Sequence, residues 1–167
     1  MKDGITTWTP TAITEIFGSD ASFAVFVTSL LPLANVLGAA MSHIVIERLF
    51  HNAMTASAVF FAAATVLEVL LFIFGRTSIA AMIIIMALTS AVLVADSNIF
   101  VTFVPAAFGQ YRCVSTMTGL TNATANLFNS LSSLIVGNVT SGSGGWDAAI
   151  LMWMAFGVVG TVSSLLI

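Results

Sequence analysis

The sequence predicts an all-α, polytopic membrane helical bundle, and three observations carry that prediction. The chain has 167 residues, of which 59% are hydrophobic and only 7% charged, with a mean hydropathy of +1.09. A soluble domain carries roughly 25% charged residues, so this chain cannot clothe a water-facing surface. Apolar runs recur at the roughly 20-residue length that crosses a bilayer core. The charged and turn-forming residues gather between those runs.

Five runs meet the length criterion. They cover Ser22 to Val45, Ala53 to Phe74, Ser78 to Pro105, Val114 to Val139 and Ala148 to Ile167. Gly18-Ser19-Asp20 precedes the first. Glu47-Arg48 with His51-Asn52, then Gly75-Arg76, then Gly109-Gln110-Tyr111-Arg112 separate the next three, and a Gly/Ser-rich turn from Ser141 to Asp147 leads to the last. Such short connections demand antiparallel neighbours, giving an up-down array in one transmembrane domain, 1–167. Ile5 to Phe17 is too short and too polar to span alone, and reads as the tail of a sixth helix. Ile167 falls within apolar sequence with no basic anchor after it, so both ends read as cut. If the turns after the first and third spans face the cytoplasm, they hold Arg48 and Arg112, against Arg76 on the other face. The positive-inside rule favours that orientation by two residues to one.

Composition also excludes classes of function. The net charge of −3 is spread over few side chains, and no basic patch invites nucleic acid. Cys113 is the sole cysteine, so there is no intramolecular disulfide and no paired-cysteine zinc site. His43 and His51 are too far apart for a short metal-binding pair. The N-terminus lacks the apolar core of a signal peptide. No nucleophile–base pair, phosphate loop or metal cluster is visible, so neither an enzyme nor a cofactor is expected.

Polar residues within the spans are the candidates for function. In the fourth run Ser115, Thr118, Asn122, Asn126, Asn129 and Ser133 recur at spacings of three or four. At 100° per residue they form one stripe about 80° wide. An asparagine facing lipid would leave amide groups unsatisfied, so the stripe faces either other helices, as polar glue, or a water-filled cavity. Thr28, Asn35 and Ser42 share a face of the first run, where Pro32 removes a backbone hydrogen bond and bends the helix. Asp96, followed by Ser97 and Asn98, sits deep in the third run. A carboxyl group at that depth is costly and points to a proton relay, a salt bridge or contact with a cationic group; a protonated or hydrogen-bonded acid within the bundle is the plainer reading. Glu68, closer to a membrane face, reads as a snorkelling or structural acid. The glycosylation patterns at Asn122 and Asn138 lie in or at the edge of a span and read as chance.

One stretch resembles a known family. Lys2-Asp3-Gly4-Ile5-Thr6-Thr7-Trp8-Thr9-Pro10-Thr11 resembles the seventh helix of the organophosphate:phosphate antiporter branch of the major facilitator superfamily, the branch of the glycerol-3-phosphate and hexose-phosphate transporters. Its pattern is a basic residue, Gly two positions on, then W-x-P-T. Gly38 to Asn52 matches the loop region between helices eight and nine. Tyr111-Arg112-Cys113-Val114-Ser115-Thr116 with Gly119 and Asn122 resembles the start of helix eleven, and Gly145-Trp146-Asp147 the entry to helix twelve.

The resemblance implies the C-terminal half of such a fold: the end of helix seven in residues 1–17, then helices eight to twelve. It implies a secondary transporter working by alternating access on a small polar or anionic metabolite, an organophosphate among the candidates. Its partners would be the lipid bilayer, the small-molecule substrate and an absent N-terminal six-helix half; its location would be the cell membrane, multi-pass, in a bacterium. Lys2 occupies the position of the family's phosphate-binding basic residue, although that residue is Arg in the phosphate transporters, and a lysine offers a point charge in place of a bidentate fork. Helices seven and ten both line the family's central cavity, so Lys2 and Asp96 are expected to approach each other and couple substrate binding to protonation. The substrate-binding or cavity-lining candidates are Lys2, Trp8, Asn35, Asp96, Asn98, Asn122, Asn126 and Asn129. The rival reading is a small structural or assembly subunit of a membrane complex, its asparagines serving as interhelical glue.

Overall fold

A computed structural model describes every residue except Met1, His51, Ser143 and Ile167, and the side chains of Lys2 and Asp3. Among the described residues the chain is helical, with no strand. The helices are α1 (Lys2–Phe17), α2 (Ala21–Thr28), α3 (Leu31–Val45), α4 (Ala53–Phe74), α5 (Ile79–Asn98), the single-turn α6 (Val104–Ala106), α7 (Val114–Ser141) and α8 (Gly145–Leu166).

Local chemistry sets the boundaries. The Asp20 side chain caps α2 by accepting from the Ser22 amide at 3.2 Å, and Asn52 caps α4 by accepting from the Met54 amide at 2.9 Å. Each satisfies a donor that a helix start leaves orphaned. Pro32 behaves as its chemistry requires. The first run breaks into α2 and α3 at Ser29-Leu30, one turn before the residue that cannot donate. Two further irregularities are π-helical segments, Ile46–Phe50 after α3 and Ile99–Phe103 after α5, each a local widening of the helix.

Four stretches are both long and apolar enough to cross a membrane: Ala21–Phe50, Ala53–Phe74, Ile79–Ala106 and Gly145–Leu166. These fit a lipid bilayer. The fourth predicted run differs. At 28 residues α7 is the longest helix, about 42 Å at 1.5 Å per residue, yet its serines, threonines and asparagines keep it below the apolar threshold the other four pass.

Helix α4 lies at the centre, packed most extensively on α8 and also on α5, while α3 packs on α5. Glycines allow the closest approaches. A Cβ on Gly38 would lie 2.1 Å from the Ala91 carbonyl oxygen, and one on Gly157 would lie 2.3 Å from Thr65 Oγ1. The core comprises Ile5, Ile13, Leu71, Met82, Met86 and Trp153 among others. The outside is greasy, with Phe26, Val36, Leu37, Val66, Ile73, Val159 and Leu165 among its exposed residues. Only a hydrocarbon surrounding makes that surface inexpensive.

Helix α1 is more than a stub, because Ile5, Thr9, Ala12 and Ile13 are fully buried within the bundle. At one end, Trp146 Nε1 donates to Glu15 Oε2 at 2.8 Å, and Arg76 Nη2 pairs with Asp147 Oδ1 at 2.7 Å. Those contacts gather the end of α1, the α4–α5 turn and the start of α8 on one face, as the up-down reading requires.

Candidate functional site

The C-terminal part of the α7 stripe, Asn126, Asn129 and Ser133, adjoins α1. Two adjoining cavities of about 390 and 630 Å³ run between the helices, sharing Ser130 and Ser133. Thr7, Asn126 and Asn129 complete the smaller cavity; Trp8, Leu134, Gly137 and Asn138 complete the larger. Every residue lining the smaller cavity carries a hydroxyl or amide. Trp8 fixes the floor. Its Nε1 donates to Ser133 Oγ at 3.1 Å, its ring stands edge-on to Trp146 at 6.4 Å, and a Cβ on Gly137 would come within 3.1 Å of it. The groove can therefore offer several neutral hydrogen-bond donors and acceptors to a small polar molecule, around a rigid aromatic wall.

Of the predicted site residues, Trp8, Asn126 and Asn129 meet in this groove. Asn129 also lines the cavity that holds Asp96, on the far side of α7. Asn122 is exposed and lies outside both grooves. Asn35 and Asn98 are interhelical links. Asn35 Oδ1 accepts from Ser90 Oγ at 2.7 Å, Ser90 in turn meets Thr6 Oγ1 at 3.3 Å, and Asn98 Nδ2 donates to Ser42 Oγ at 2.8 Å. These bonds tie α3 and α1 to α5, so both side chains link helices.

The Lys2 side chain lies outside the described residues, and so does its expected approach to Asp96. What is described is that Asp96, only 4% exposed, accepts from Ser57 Oγ at 2.5 Å. Ser57 Oγ also lies 3.3 Å from Ser164 Oγ. A hydroxyl has one proton to give. With Ser57's proton on Asp96, Ser164 must donate to Ser57, so the chain runs Ser164 to Ser57 to Asp96 across α8, α4 and α5.

Of the two roles expected of Glu68, snorkelling and structural, its burial fits the second. It is fully buried where α4 meets α8, not snorkelling to a membrane face. Its Oε2 lies 3.2 Å from the point where a Cβ on Gly157 would sit, and neither carboxyl oxygen accepts a hydrogen bond. The indole nitrogen of Trp153 and the hydroxyl of Ser132 are buried without partners as well.

Sequence reasoning missed Ser57, Ser164 and the buried state of Glu68. A signal existed. Ser57, Ala64 and Glu68 fall within about 40° on one face of α4, and a small-polar face on an otherwise bulky apolar helix marks close helix packing. Nothing comparable marks Ser164, which lies in an apolar helix end. Among the described residues no group of three His, Cys, Asp or Glu side chains is placed to hold a metal ion. No family model, no curated protein and no solved structure matches this chain.

Proposed function

We propose that the protein is part of a secondary transporter that moves a small polar or anionic metabolite across a cell membrane by alternating access. The observation that carries this reading is the open α1–α7 groove, whose smaller part is lined entirely by hydroxyl- and amide-bearing side chains. Asparagines at that depth need water, a ligand or a partner helix. Substrate sites near the midplane, between two helical repeats, meet that need. The resemblance around Trp8 and Pro10 adds the finer reading, the C-terminal half of a major facilitator fold of the organophosphate:phosphate antiporter kind, in the bacterial plasma membrane. The groove face would then be completed by a six-helix N-terminal half.

The test is uptake of labelled glycerol 3-phosphate and glucose 6-phosphate into vesicles bearing the intact protein. Each hydrogen bond lost from the groove is worth about 1–2 kcal/mol, a factor of roughly 5–30. Asn126→Ala and Asn129→Ala should each lower uptake of the transported solute by that factor, whereas Asn35→Ala should act through stability alone. Groove variants that leave uptake unchanged would return the α7 asparagines to the rival role, an assembly surface.

A further inference from the structure

Two cavities lie on the face of α7 turned away from the groove. The first, about 470 Å³, holds Asp96 and Ser97 of α5 and Thr121 and Thr124 of α7. The second, about 720 Å³, is walled chiefly by hydrocarbon, including Leu131, Ile135, Phe156 and Val159. Phe61, Phe100 and Phe128 line both, so the two adjoin, with an acid at one end and an open apolar compartment at the other.

Asp96 is the unusual member. Ser57 satisfies Oδ1, but Oδ2 accepts no hydrogen bond among the described residues. Among the described residues no basic side chain lines either compartment. Among the described side chains the neighbouring elements supply none: α7 carries no charged residue, α8 has only Asp147 at its far end, α4 has only the acid Glu68, three turns from Ser57, and α1, whose Lys2 side chain lies outside the described residues, offers only Glu15 at its far end. On α3, His43 packs edge-on against Phe103 at 4.9 Å. When ionised, a carboxyl group so placed meets no basic partner among the described side chains and faces aromatic rings whose faces also attract cations.

We propose that this space binds an amphipathic organic cation, with its ammonium or phosphonium centre at Asp96 and its hydrocarbon or aromatic body in the apolar compartment. Volumes of this size suit a drug-sized ligand. A bare inorganic cation would leave the larger chamber unused, a hydrophobic anion would be repelled by Asp96, and a neutral acyl chain would have no use for the carboxyl. The site is distinct from the α1–α7 groove and does not depend on the transport reading.

The test uses a matched pair of ions, tetraphenylphosphonium and tetraphenylborate, alike in shape and opposite in charge. Equilibrium dialysis against the purified protein in detergent, corrected with protein-free micelles, reads their binding. Saturable binding of the phosphonium, with little of the borate, is expected. Asp96→Asn should weaken phosphonium binding by about tenfold or more, the scale of one lost charge contact. Asp96→Glu should keep it within about threefold. Phe128→Ala, which alters a side chain 63% exposed and so spares the fold, should also weaken it. Equal binding of the two ions, or unchanged phosphonium affinity in Asp96→Asn, would overturn the proposal. Should Asp96→Asn not fold, unchanged affinity in Phe128→Ala would overturn it alone.

Discussion

The two buried acids show how different identical chemistry becomes in different company. Asp96 has a donor, Ser57, which is itself supplied by Ser164. Glu68 has none. Removing one partner from a buried hydrogen bond costs about 1–3 kcal/mol, because the other is left desolvated. Ser57→Ala should therefore lower stability by that amount in thermal unfolding in detergent, and Ser57→Thr should recover most of it. At Glu68 the sign reverses. A buried polar group with no partner costs about 1–3 kcal/mol relative to an apolar one. Glu68→Leu, close in volume, should be neutral or stabilising by up to that amount. A clear loss in that variant would mean that a group outside the described residues holds the carboxyl. Depth within a span was legible for Asp96 from position alone. For Glu68 position left the snorkelling and structural roles both open, because distance from a span's end says nothing about which way the helix face turns.

At the scale of elements, glycines separate packing from propensity. Gly38 sits where α3 touches α5, and an added methyl would meet backbone at 2.1 Å. Gly119, also within a helix, has nothing within 4 Å of its added Cβ. Gly38→Ala should destabilise by about 1–3 kcal/mol, since overpacking against backbone cannot be relieved by a rotamer change. Gly119→Ala should gain up to about 1 kcal/mol from helix propensity. Differential thermal stability of the two variants checks both signs; loss in both would show that α7 packs on something else. The break at Ser29-Leu30 was readable from Pro32. The π-helical widenings at Ile46–Phe50 and Ile99–Phe103 were not, because no single residue type forces them.

For the whole molecule, the apolar runs and the polar turns made the helical array legible, since hydrocarbon admits few alternatives to helices. Periodicity also placed the α7 stripe on one face. It could not say which neighbour that face meets, because spacing within a helix carries no record of the helix beside it. Trp8 was legible as a candidate; its bond to Ser133, which makes it the groove's floor, was not. Helix α7 thus divides two environments, polar toward α1 and aromatic toward α4 and α5.

Its polarity is the central claim, and thiol accessibility in membranes tests it most directly. With Cys113 replaced by serine, single cysteines at Asn126, Asn129 and Ser133 are exposed to a membrane-impermeant, water-soluble thiol reagent. A cysteine at Leu127 serves as the neighbouring comparison, and Val162 and Leu165 on α8 as lipid-facing references. The account expects rapid labelling at Asn126, Asn129 and Ser133, and none at Val162 or Leu165. Protection at all three groove positions, or labelling at the α8 references as fast as in the groove, would contradict it.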